Sequence, residues 1–147
     1  MVQLRRFAVS LSSTYLALLA GCADLGKVSV PDPAIIGKDV TTPITLLRTS
    51  EDMVHSCSPT NIHLDVTDGK ISGIVADYPK SIDNYNALKK AIGTIAGLVV
   101  RDSTIQDDGL RMTIWRQKDG SYSIGVTLPP PDDQDDLNVL IIGLEVR

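Results

Sequence analysis

The chain has few aromatic residues and no long apolar run. Its 147 residues include one Trp, one Phe and four Tyr, and only four of these six follow residue 21. Single-stranded nucleic acids are bound on stacked aromatic side chains, for which this number is too small. The longest mostly apolar stretch, residues 7–20, has about 14 residues, whereas a membrane-spanning helix needs about 20. That stretch is therefore too short to be a transmembrane helix.

Basic residues are in the minority. The chain has 14 Lys and Arg against 18 Asp and Glu, and its formal net charge is −4. Binding to nucleic-acid phosphates or anionic headgroups depends on clusters of Lys and Arg, and no such cluster occurs. We therefore expect no nucleic-acid partner.

The N-terminus has the parts of a secretory signal peptide. Arg5 and Arg6 form a positive start, residues 7–20 form the apolar region, and the small residues Ala20 and Gly21 come at its end. The pattern predicts a cleaved leader over residues 1–21. Leu19-Ala20-Gly21-Cys22 resembles the lipobox of bacterial lipoproteins at all four positions.

The lipobox resemblance implies a lipid anchor on Cys22. In that family the cysteine is lipidated on sulfur, the leader is cut before it, and the new amino group is acylated, for example with palmitate. Ala23, rather than Asp, follows Cys22. By resemblance this favours the periplasmic face of the outer membrane over the inner membrane.

Cysteine is also scarce, because Cys57 is the chain's second and last cysteine after Cys22. No disulfide framework follows, and we expect Cys57 to pack as a small buried hydrophobe. His55, Cys57 and His63 are the one group with metal-ligand character, but their spacing matches no familiar zinc pattern. Nothing orients a histidine beside the thiol as a base. We predict no metal, no cofactor and no catalytic residue.

The residues after Cys22 divide into a tether and one domain. Residues 22–42 contain two prolines and no helical or strand period, which predicts a flexible tether. Residues 43–147 then form a single domain, with Ile44 to Leu47 as its first strand. Asp68-Gly69 between alternating runs predicts a two-residue hairpin that pairs Val66–Ile71, Leu64–Gly73 and Ile62–Val75.

A helix follows the first hairpin. Ser81 is its expected N-cap and Gly97 its stop, and its apolar stripe has spacings of three and four. The stripe comprises Ile82, Tyr85, Leu88, Ile92 and Ile95.

The second hairpin is predicted from its apolar alternation. A three-residue loop with Gly120 in the left-handed conformation pairs Ile114–Ile124, Met112–Val126 and Leu110–Leu128. The opposite face then carries Trp115, Arg111 and Thr113, which we predict to bind a partner, with Gly125 leaving a notch beside the indole. The alternative is that this face is covered and Trp115 is buried.

Residues 138–146 are apolar on both faces, which is typical of an interior strand covered on both sides. The predicted fold class is α+β, an antiparallel sheet of five or six strands with one main helix packed on a face. The predicted function is a non-catalytic envelope lipoprotein that binds a protein, as an accessory subunit or an immunity-type protein. Alternatives are a small envelope hydrolase and a carrier or sensor of a ligand or metal.

Overall fold

The structure is a computed structural model that describes residues 27–49 and 57–144. Their main feature is a six-stranded antiparallel sheet of order β3-β4-β8-β7-β6-β5, accompanied by a two-stranded ribbon and one α-helix. The predicted antiparallel sheet with one packed helix is confirmed. The predicted leader (1–21), Cys22 and His55 lie outside the described residues. The strands are β1 Val28–Pro31, β2 Leu46–Thr49, β3 Asn61–Thr67, β4 Lys70–Tyr78, β5 Leu98–Ile105, β6 Arg111–Gln117, β7 Tyr122–Leu128 and β8 Leu137–Gly143; the helix, α1, is Ile82–Gly93.

The core lies on one face of the large sheet. Directly opposed residues of an antiparallel pair point to the same face of a sheet. One such row crosses four strands and points to the core face: Ala76, Val139, Val126 and Thr113. Helix α1 and strand β1 cover this face. The Tyr85 hydroxyl lies 2.9 Å from Thr113 Oγ1, and the Tyr78 hydroxyl donates to the Ser29 carbonyl at 2.8 Å. The buried apolar residues of the sheet, helix and ribbon form one core cluster.

The predicted pairing of the first hairpin is confirmed next to the turn and is wrong further from it. Asp68 and Gly69 both have positive φ, 51° and 74°, and Val66 pairs with Ile71 as predicted. The register then shifts, so Leu64 pairs with Ile74 rather than Gly73, and Ile62 pairs with Ala76 rather than Val75. An extra residue in β4 at this bulge turns Ile74, Ala76 and Tyr78 towards the core.

Helix α1 begins as predicted, because the Ser81 side chain accepts a hydrogen bond from the Asn84 N–H at 3.0 Å. Tyr85, Leu88 and Ile92 are buried, which confirms the central part of the predicted stripe. The helix ends at Gly93, before the predicted stop at Gly97, which has φ 82° just ahead of β5. Ile82, expected in the stripe, is exposed.

The prediction of a flexible tether over residues 22–42 is wrong from residue 28 onwards. Val28 and Val30 of β1 are buried, and Ile35 follows in a buried 3₁₀ turn. The domain therefore begins well before residue 43, and residues 22–26 lie outside the described part. Strand β1 is too short to show a period, and its partners, β2 and Cys57, are distant in sequence. The strand expected at 44–47 is Leu46–Thr49 and pairs with β1.

Strand β8 is interior, between β4 and β7, as its apolar sequence predicted. Its Leu137, Val139 and Ile141 are fully buried under the helix and ribbon. Its other face carries Leu140 and the exposed Ile142. Within the described residues only the first face is covered, so the predicted burial on both faces is wrong there.

Candidate functional site

The predicted register of the second hairpin is wrong by one residue. Trp115 pairs with Ile124, Thr113 with Val126 and Arg111 with Leu128. The loop between β6 and β7 has four residues, 118–121, rather than three. Within it one Asp119 carboxylate oxygen accepts from both the backbone N–H (2.8 Å) and the hydroxyl (2.6 Å) of Ser121.

The extra loop residue moves every side chain of β6 to the opposite face, because side chains alternate with a period of two. Trp115 is 3% exposed and Thr113 is fully buried, so neither can contact a partner of the folded domain. The prediction of a binding surface around them is wrong, and the alternative of a buried Trp115 is confirmed. Gly125 lies opposite Ile114, so the predicted notch beside the indole is not formed. Arg111 is partly exposed at the start of its strand.

Cys57 is a packed thiol, as predicted. It is 1% exposed and held beside β1 by two backbone hydrogen bonds, Ser29 N–H to its carbonyl (2.8 Å) and its N–H to the Lys27 carbonyl (3.0 Å). Burial raises the pKa of the thiol from 9.0 to about 12. Since the thiolate is the nucleophile and the metal ligand, this cysteine is suited to neither role at neutral pH.

His63, the other described member of the predicted weak metal group, lies on the outward side of β3. Its Nε2 is 2.7 Å from Asn61 Nδ2 and 3.7 Å from an Asp77 carboxylate oxygen. Burial raises the pKa of Asp77, and His63 opposes the shift. Over residues 27–49 and 57–144 no three His, Cys, Asp or Glu side chains gather around a common point.

A thiol reagent is expected to label Cys57 only when the domain unfolds, because the buried thiol is both inaccessible and protonated. Ellman's reagent in native buffer and in denaturant measures this, and Thr67→Cys on the exposed hairpin is the control that reacts at once. Stability should also fall above pH 9, by up to about 1.4 kcal/mol per pH unit, as the unfolded chain loses the thiol proton that the folded chain keeps. Fast native labelling of Cys57 would contradict the packed arrangement.

Strand β5 is the most apolar exposed element. It is an edge strand that pairs, within the described residues, only with β6. Three of the five exposed large hydrophobic residues of the described chain lie on it: Val99 (42%), Val100 (55%) and Ile105 (67%). Monomeric proteins usually protect such an edge with charge, Pro or a covering element.

Along the outer edge of β5, no strand of the described residues pairs with the backbone hydrogen-bonding groups. The hairpin to β6 closes with the Gln106 N–H donating to the Leu110 carbonyl at 2.9 Å. Bonded and non-bonded pairs alternate from there, so the N–H and C=O groups of Ser103 and Ile105 point away from β6.

Two opposite charges lie side by side at the centre of this edge. Arg101 and Asp102 are both exposed, at a bulge where the β5–β6 register shifts. Asp102 accepts a hydrogen bond from the Thr104 hydroxyl at 3.2 Å. Neither charge has an ion-pair partner within the part of the chain that the structure describes. The opposite edge, β3, instead exposes the polar residues His63, Asp65 and Thr67.

Arg111, the third residue of the predicted set, lines a separate cleft at the start of β6 together with Ile105. Within the described residues no helix has the length and apolarity needed to cross a bilayer. Comparison of the chain with protein-family models, with curated proteins and with solved structures finds no match in any of the three.

Proposed function

We propose that this chain is a lipid-anchored, non-catalytic protein-binding domain of the bacterial cell envelope, at the periplasmic face of the outer membrane. The lipobox at Leu19-Ala20-Gly21-Cys22 supports the anchor. The partner site is the outer edge of β5. The observation that carries the proposal is the concentration of exposed apolar side chains on an edge strand whose outer side pairs with no strand of the described residues.

An edge of this kind binds protein by strand addition. Backbone hydrogen bonds from an incoming strand supply affinity, and alternate side chains supply specificity. Covering side chains such as Val100 and Ile105, which are more than half exposed, would contribute roughly 1 kcal/mol each. Backbone hydrogen bonds at Ser103 and Ile105 add to this binding free energy, since the outward N–H and C=O groups of both residues lack a partner strand in the described sheet.

Charge complementarity defines the occupant. It is an extended segment of another envelope protein, with an acidic residue opposite Arg101 and a basic residue opposite Asp102. Apolar residues at its two ends would meet Val99 and Ile105. A like charge opposite either residue would be unfavourable, so the pair also sets the register of the incoming strand.

Ser103→Pro is expected to weaken the partner complex at least about tenfold while the domain stays folded. Proline removes an outward N–H and places its ring where the partner strand would lie, and it is tolerated on the free side of an edge strand. Ser103→Ala is the matched control, because it loses the same 3.3 Å hydroxyl contact to Thr113 but keeps the N–H. Thermal unfolding of both variants checks the fold.

The complex is detected in intact envelopes by a photo-crosslinking amino acid. Placed at Val100 or Ile105 it should give one discrete adduct that Ser103→Pro abolishes and Ser103→Ala retains. Placed at Thr67, on the opposite edge, it should give none. Equal adducts at both edges, or an adduct indifferent to Ser103→Pro, would overturn the β5 site. An adduct made only of two copies of this chain would replace the proposed occupant with self-association.

A further inference from the structure

A cleft of about 660 Å³ opens where the β5–β6 turn, the end of β7 and the start of α1 come together. Its volume is in the range of small-molecule sites, about 300–1,000 Å³. Half of its ten lining residues are apolar: Ile82, Ile105, Leu128, Pro129 and Pro131. Ile82 and Ile105 are exposed, so the apolar surface is accessible from solvent.

Among the described residues the cleft is lined by two cationic side chains, of which Lys80 is already engaged. The ammonium of Lys80 donates to the carbonyls of Pro130 and Asp133, both at 2.6 Å, and so ties down the loop after β7. Arg111 is partly buried and makes no hydrogen bond or ion pair with any residue of the described chain. A guanidinium so placed binds a carboxylate strongly, by two parallel N–H···O bonds.

We infer that this cleft binds a fatty-acid-like monocarboxylate, with the carboxylate on Arg111 and the aliphatic chain along Ile82, Ile105 and Leu128. The guanidinium of Arg111, the one cation of the described lining without a partner there, matches a single negative charge. Asp83 follows Ile82, and Asp107 and Asp108 follow Gln106, so acidic residues near the cleft disfavour a multiply charged phosphate. The cleft and the proposed strand-binding edge share Ile105. Strand addition to β5 does not use Arg111, so variants of Arg111 test this inference separately from the proposed function.

Octanoate and hexanoate are the probes, titrated calorimetrically into the full chain in lipid nanodiscs, with the titration of empty nanodiscs subtracted. Two more methylenes on an apolar wall should tighten octanoate binding about fifteenfold over hexanoate. Arg111→Met should weaken octanoate binding about tenfold to a hundredfold and leave octanol binding unchanged. Arg116→Met, which removes an exposed arginine of the same strand, is the matched control and should leave both ligands unaffected.

A second variant tests the apolar wall without risk to the core. Ile105→Asn, at a position 67% exposed, should weaken octanoate and octanol alike. The inference is overturned if octanoate binds no better than to empty nanodiscs, or if Arg111→Met weakens octanol as much as octanoate. It is also overturned if inorganic phosphate binds as tightly as octanoate with the same dependence on Arg111. Ser103→Pro should not change octanoate affinity, which separates this site from the strand-binding edge.

Discussion

Replacing Trp115 by Ala is expected to lower the free energy of unfolding by about 3–5 kcal/mol. The indole is 3% exposed and lies on the core face, directly opposite the fully buried Ile124 of β7. Truncation removes one of the largest side chains of the core and leaves a cavity that the sheet backbone cannot collapse into. Chemical denaturation followed by circular dichroism measures the loss.

Ile114→Ala is the matched control, because the two residues are adjacent and point to opposite faces of β6. Ile114 is only partly buried, and its loss should cost about 1 kcal/mol. The register inferred from the sequence places Ile114 in the core instead. An Ile114→Ala variant that is less stable than Trp115→Ala would therefore contradict the structure and restore that register.

The fluorescence of the wild-type domain provides a second measure of the burial of Trp115, because this residue is the chain's one tryptophan. Its emission should be blue-shifted and resistant to iodide, and it should become red-shifted and quenchable on unfolding. A quenchable emission in the folded state would place the indole at the surface and contradict its burial.

Replacing Cys22 by Ser is expected to abolish anchoring altogether. Serine has no thiol to alkylate, so by the lipobox resemblance the precursor should remain uncleaved and carry no acyl chain. A single myristoyl-sized chain holds a protein on a bilayer only marginally, whereas several chains, at about 0.8 kcal/mol per buried CH₂, hold it stably. Incorporation of labelled palmitate and fractionation of the envelope measure the result.

Cys57→Ala is the control for this experiment, since it removes the other cysteine of the chain. It should leave palmitate incorporation and membrane partition unchanged, although it removes a buried side chain and lowers stability. Normal processing and membrane partition of Cys22→Ser would refute the lipobox interpretation and, with it, the proposed location.

The features that the sequence predicted correctly depend on residues close together in the chain. Asp68-Gly69 forms a turn with two positive φ angles, and Ser81 caps α1, because each needs only its own neighbours. The apolar alternation of the strands was enough to predict an antiparallel sheet, and the two-sided apolar pattern of β8 placed it in the interior. The burial of Cys57 followed from the character of a lone thiol.

The features that the tertiary structure decided depend on strands that are distant in sequence. The apolar alternation on β6 favoured the face of Ile114, because Arg111 and Thr113 beside Trp115 are polar. A loop one residue longer places the face of Trp115 in the core instead. The bulge in β4 is defined by its pairing with β3, and β1 is buried because it packs with the helix over the large sheet and pairs with β2 and Cys57. The exposed edge at β5 follows from the strand order of the whole sheet, since a strand is an edge only when no other strand pairs with its outer side. Local chemistry thus determined the Asp68-Gly69 turn, the helix cap and the antiparallel sheet with its packed helix. The loop of the second hairpin, the strand registers and the edge position were decided by pairing between strands, an interaction with no counterpart within a single segment.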